Sequence, residues 1–128
     1  MSVLAANDAD VAVVLVVEDD ILVRFDIASS LQDAGYVVVE AGSGEDTIAL
    51  CNSGTSIDMV FTDLNLGGAV SGWEVAQCCR TVQPDVPVIY TSGKSIERWR
   101  CVPGSAFVAK PYRNSDVLSL CQRLIARH

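Results

Sequence analysis

Short apolar runs alternate with segments of helical period along almost the whole chain, and that alternation leaves few folds open. Residues 11–17, Val-Ala-Val-Val-Leu-Val-Val, are nearly all apolar and mostly β-branched, the mark of a strand buried on both faces. Further strand-like runs fall at 36–39, 57–62, 88–91 and 106–109. Residues 21–34 place Ile21, Phe25, Ala28 and Leu31 on one helical stripe, with Gly35 positioned to cap it. Ser43 and Asp46 give a capping-box-like start to a second helix, which Asn52-Ser-Gly54 ends. Residues 73–82 predict a third helix, residues 95–100 a short weak one, and Asn114 or Ser115 caps a last amphipathic helix. The pattern is (βα)5, an α/β doubly wound sheet of five parallel strands joined by right-handed crossovers.

At 128 residues the chain is one domain, and with half its residues hydrophobic it has the means to bury a core. A formal charge of -7 argues against direct nucleic-acid binding, which needs a basic stripe. The five cysteines show no CxxC spacing, and His128 is the one histidine, so a Cys/His zinc site is not expected. Reduced, mostly buried thiols in a cytoplasmic protein are the expectation. No run approaches the ~18–20 apolar residues of a membrane span. Residues 1–10 lack a basic n-region and read as a flexible arm, leaving 11–128 as the domain.

Four of the five apolar runs lead into residues that can do chemistry. Glu18, Asp19 and Asp20 follow the first strand, Asp63 the third, Thr91 and Ser92 the fourth, and Lys110 the fifth. An open parallel sheet collects its chemistry in the crevice at the carboxyl ends of its strands. In the strand order 2-1-3-4-5, Asp19 and Asp63 face each other across the switch point. Three consecutive acids repel one another unless they are solvated or hold a cation, and hard oxygen donors there suit Mg²⁺. Asp20 reads more simply as a helix cap, and Asp63 as either a strand-end cap or a nucleophile able to form an aspartyl-phosphate. Lys110 either snorkels at a strand end or ion-pairs inside the pocket. Its bond to Pro111 can be cis or trans.

Together, Val-Val-Glu18-Asp19-Asp20, Phe-Thr-Asp63-Leu-Asn65, Tyr-Thr-Ser92-Gly93 and Phe107-Val-Ala-Lys110-Pro111-Tyr112 resemble the receiver domain of two-component response regulators, over roughly residues 11–127. The resemblance implies the flavodoxin-like fold and a phosphoacceptor role for Asp63. It implies Mg²⁺ held by Asp19 and Asp63, by Glu18 through water and by the backbone carbonyl of Asn65. Lys110 would neutralise phosphoryl oxygens, and the hydroxyl after the fourth strand would bind one of them. Ser92 is chosen for that role because it stands five residues after Pro87, the usual family spacing, and precedes the small Gly93; Thr91 is the alternative. Phe107 is either the family's switch aromatic or an ordinary core residue. Asn65 and Lys94 flank the phosphoryl position and are expected to tune the lifetime of the phosphorylated form.

The implied protein is not an enzyme beyond catalysing its own phosphorylation and dephosphorylation. Its implied partners are a histidine kinase or histidine phosphotransfer protein and a downstream target protein. In many receivers a homodimer also forms through a face that includes the fourth helix. Two departures stand out: the loop 64–72 lacks the common Met-Pro pair and is one residue longer than usual, and residues 92–110 are about one helical turn short. The fourth helix is therefore expected to be short, displaced or unwound, with Trp99 covering exposed core. A stand-alone receiver is the leading expectation, favoured by Met1 and a complete last helix. A receiver fragment of a hybrid histidine kinase and a phosphorylation-independent pseudo-receiver are the alternatives. A haloacid dehalogenase-like phosphatase would want an acid where Asn65 stands, and a P-loop enzyme would need a GxxxxGK motif that is absent.

Overall fold

A computed structural model describes residues 11–126 of the chain, and the arm expected at 1–10 lies outside the described residues. In chain order come β1 (Val13–Val17), α1 (Ile21–Asp33), β2 (Val37–Ala41), α2 (Gly44–Asn52), β3 (Met59–Asp63), α3 (Gly72–Val82), β4 (Val88–Ser92), β5 (Ala106–Ala109) and α4 (Asn114–Ala126). The strands form one sheet in the order β2-β1-β3-β4-β5, with every pairing parallel. This is the (βα)5 sheet expected from the alternating runs and the flavodoxin-like order that the receiver resemblance implies. Register brings the carboxyl ends level: Val17 lies opposite Ala41 and Thr62, Asp63 opposite Thr91, and Ser92 opposite Ala109.

The two-residue period of a strand divides the core into two layers. Leu15, Val17, Val60, Val88 and Tyr90 face α2 and α3, where Trp73, Val75, Ala76 and Cys79 meet them. Val14, Val16, Met59, Phe61 and Ile89 face α1 and α4, where Ile27, Leu31, Val117 and Cys121 close the other side. Both faces of β1, β3 and β4 are thus dry, which is why their sequences are apolar throughout rather than alternating.

Three expectations change, on the α1 stripe, the cap of the last helix and the role of Trp99, while the short, unwound fourth helix is as expected. The stripe on α1 splits, for Ala28 and Leu31 are buried with Ile27, whereas Ile21 and Phe25 are 66% and 67% exposed, and Leu22 beside them 77%. Asn114 does not cap the last helix but is its first residue. Its side-chain amide donates to Ser30 Oγ at 2.8 Å and Asp26 Oδ2 at 3.2 Å, tying α4 to α1. The fourth helix shrinks to a single 3-10 turn, Arg98–Arg100. Trp99 on that turn is 80% exposed and covers no core. The gap is closed instead by Trp73, packed on Tyr90 with ring centroids 5.1 Å apart, and by Ile96, Cys101 and Val102 against the same layer. The buried Tyr90 hydroxyl accepts the Val102 N–H at 3.1 Å, so an extended segment satisfies the polar end of the ring.

Candidate functional site

The acidic loop after β1 is shaped by its own backbone needs. Asp20 has extended geometry and its carboxylate accepts the N–H groups of Leu22 and Val23 at 3.0 and 3.2 Å, the capping role read from its position. That fixes the entry to α1 and leaves Glu18 and Asp19 facing the crevice. Glu18 is 3% exposed, and its carboxylate accepts the Asp20 N–H at 3.2 Å. Asp63, the last residue of β3, is 6% exposed, and its Oδ1 accepts the Asn65 N–H at 3.0 Å. Carboxylate oxygens of Glu18, Asp19 and Asp63 lie within 4.8 Å of one another.

Lys110 reaches this cluster directly from the end of β5, and a cis bond joins it to Pro111. Its Nζ donates to Asp63 Oδ2 at 2.6 Å and to Glu18 Oε1 at 2.9 Å. Burial works against its charge, but the hydrogen bonds to Asp63 and Glu18 and their negative charges outweigh that and raise its pKa well above the ordinary lysine value. Glu18 is also raised above the ordinary carboxylate value, first by burial and then by the charge of Asp63, against the opposing pull of Lys110 and the Asp20 N–H. The cluster therefore holds more negative charge than one lysine balances. That is a donor set fitted to a divalent cation: three hard carboxylate groups converging with one side open.

The opening is a cleft of about 450 Å³ lined by the acidic loop, Asp63, Asn65, Ser92, Gly93, Lys94 and Lys110. Ser92 lines it, and its Oγ accepts the Lys94 N–H at 3.1 Å. Thr91 does not line it; successive strand residues point to opposite faces, and the Thr91 hydroxyl is buried without a hydrogen-bond partner. Phe107 is half-buried against the Trp73 layer and lines a separate cavity of about 380 Å³ with Ile96, Cys101 and Val102.

Several neighbours were not apparent from the sequence. Arg24 donates Nη1 to the Glu18 carbonyl at 2.8 Å and Nε to Glu40 at 3.2 Å, bracing the acidic loop against β2. The only signal for it was a lone cation in the first turns of α1, which says nothing of its aim. Gly67 has φ of 74°, and a Cβ there would lie 3.1 Å from Asp19 Oδ2. Gly72 opens α3 so close beneath β3 that any Cβ would strike the Asp63 carbonyl. Tyr112 packs edge-on against Phe61, and burial, with the charge of Glu18, pushes its hydroxyl up to about 12.

This geometry has counterparts among known proteins. The family model for the response regulator receiver domain matches residues 14–122. The transcriptional regulatory protein PdtaR of Mycobacterium tuberculosis is 31% identical over 129 residues, covering 94% of this chain and 62% of that protein. The sensor kinase CckA of Brucella abortus is 28% identical over 121 residues, 91% of this chain but 13% of the kinase. The chain thus spans less than two thirds of either curated relative. A response regulator receiver protein from Sinorhizobium medicae superposes with a TM-score of 0.87 at 30% identity, covering 92% of this chain and 97% of that one. With a family match across most of its length, a shared sheet order and an acidic cleft at the strand ends, the chain belongs to the response regulator receiver domain family.

Proposed function

We propose that the chain accepts a phosphoryl group on the Asp63 carboxylate and signals through protein contacts. The observation that carries this reading is Asp63 itself: a nearly buried carboxylate at a strand end, held by a lysine at 2.6 Å and beside two further acids. An Asp63 oxygen would bond to phosphorus as the bond from phosphorus to a donor's histidine nitrogen, or to an acyl oxygen, breaks. The transition state of such a transfer is loose and gains mainly from positioning and charge neutralisation. Lys110 would follow the incoming phosphoryl group, exchanging part of its ion pair with Asp63 for a phosphoryl oxygen. The Ser92 hydroxyl would hold another, and Asn65 and Lys94 at the cleft rim would govern access of hydrolytic water. Asp19, Asp63, the Asn65 carbonyl and, through water, Glu18 are the groups that would hold Mg²⁺, which would supply positive charge to the transferring phosphoryl group.

The donor would be a histidine kinase or a histidine phosphotransfer protein. Support comes from the surface beside the cleft, where exposed Ile21, Leu22 and Phe25 adjoin a cavity of about 500 Å³ lined by Leu22, Val23, Pro111, Tyr112 and Lys110. An apolar patch next to a phosphoacceptor suits a partner that must bring its own histidine into the cleft. The reading carries with it a cytoplasmic location and no reaction beyond the chain's own phosphorylation and dephosphorylation. Among the described residues no helix is long and apolar enough to cross a membrane.

The test is intact mass after acetyl phosphate treatment, with and without Mg²⁺. One hydroxylamine-labile phosphoryl adduct that needs Mg²⁺ and vanishes in Asp63→Asn is expected. No adduct under any condition, including with a phosphohistidine donor, would leave only a phosphorylation-independent binding module.

A further inference from the structure

The chain's cysteines are not spread evenly through its core. Cys51, the next-to-last residue of α2, and Cys79 on α3 bring their sulfurs to 3.5 Å of each other across the contact between the two helices. Cys78, also on α3, adjoins the same Cys51 thiol. Cys79 is buried, while Cys51 and Cys78 are partly open to solvent. Nothing in the acidic cleft contacts these groups, which sit in the layer of α2 and α3.

We propose that Cys51 and Cys79 form a redox modification site, closing to a disulfide that staples α2 to α3. Sulfurs at 3.5 Å are in van der Waals contact, about 1.5 Å beyond bonding distance. The co-reactant is a hydroperoxide. The Cys51 thiolate attacks a peroxide oxygen, the O–O bond breaks, and the departing alkoxide or hydroxide takes up the thiol's proton to leave as alcohol or water, with a sulfenic acid on Cys51. The Cys79 sulfur then attacks the Cys51 sulfur. The S–S bond forms, the S–O bond breaks, and the hydroxyl leaves as water with the proton from Cys79. Two thiols are thereby oxidised by two electrons and one hydroperoxide is reduced.

The division of roles follows from exposure. An oxidant arriving from solvent meets Cys51 first. Cys79 is buried and its sulfur already lies 3.5 Å from that of Cys51, so it is the partner placed to resolve the sulfenic acid. The consequence reaches the loop after Asp63. At their other ends the two helices frame that loop, Gly44 of α2 pressed against Val70 and Gly72 of α3 against the Asp63 backbone. A staple between the helices fixes the frame in which that loop moves. The site does not depend on Asp63 being a phosphoacceptor.

The full folded chain is treated with hydrogen peroxide, and its intact mass and non-reduced peptide map are read. The expected result is a monomer that loses two hydrogens, regains them with dithiothreitol, and yields a Cys51–Cys79 linked peptide. Cys51→Ser, at a partly open position, and Cys79→Ala, which keeps an apolar group in the core, should both abolish the link. Cys78→Ser should retain it. Addition of oxygen without loss of hydrogen, a Cys51–Cys78 link, or bridges only between molecules would each overturn the proposal. Cooperative thermal unfolding of each variant before treatment ensures that a missing link reports chemistry rather than a lost fold.

Discussion

Lys110 stands 2.6 Å from Asp63 and 2.9 Å from Glu18, and it is the one cation in direct contact with that acidic pair among the described residues. Burial first, and then the charge of Asp63, leaves Glu18 with a raised pKa, so the folded chain holds its proton more tightly than the unfolded chain does. By linkage, folding stability from this group falls as pH rises from about 4.5 through the raised value, with the folded state carrying the excess proton in that window. Glu18→Gln removes that slope. The thermal midpoint of the substituted chain should gain on the parent's as pH climbs across this window in chelated buffer. Added Mg²⁺ should reverse the order, because a ligand bound only by the folded state stabilises in proportion to its occupancy. A difference independent of pH would show that burial of Glu18 exerts no such strain. That Asp63 and Lys110 would meet in one cleft was legible because each ends an apolar run, and a parallel sheet gathers such ends. Arg24 was not, since helical spacing does not reveal which carbonyl a long side chain will find.

The loop between β1 and α1 separates two roles that adjacency in sequence blurs. Asp20 satisfies the first N–H groups of α1, whereas Asp19 makes no hydrogen bond to the protein among the described residues and faces the cleft. Asp20→Ala should therefore cost about 1 kcal/mol of stability, read from denaturant midpoints, and leave phosphorylation by acetyl phosphate largely intact. Asp19→Ala should do the reverse, keeping stability within about 0.5 kcal/mol and abolishing the Mg²⁺ requirement together with most of the adduct. Matching losses in both variants would mean the loop acts as one unit. Ser43 behaves as its spacing suggested, accepting the Asp46 N–H at 3.0 Å at the start of α2. Local capping chemistry is written in a few consecutive residues, so it survives translation from sequence to element. The absence of an N-terminal cap role for Asn114 shows the limit, because its amide found partners 84 and 88 residues away.

Across the whole molecule, the exposed patch on α1 and the missing fourth helix are what distinguish the surface. Leu22→Asp, at a site 77% exposed, should leave the fold and acetyl phosphate labelling unchanged. It should slow transfer from a phosphohistidine donor by about 10-fold, as truncation of an interface anchor does. Equal rates from both donors would remove α1 from the docking surface. The amino-acid order alone determined the strand and helix sequence, the parallel sheet and the residues at its carboxyl edge, because hydrophobic period and strand-end position are local properties. It also marked residues 92–110 as too short for a full helix. What it left open was which side of each helix finds a partner. Ile21 and Phe25 share the period of buried Ala28 and Leu31, yet nothing packs over them. Trp99 has the bulk to cover the core, but Trp73 and the Cys101–Val102 segment arrive there first. Likewise Cys51 and Cys79 are unremarkable in the chain and meet only when α2 and α3 lie side by side. Such choices are made by the packing of distant segments, and only the tertiary structure decides them.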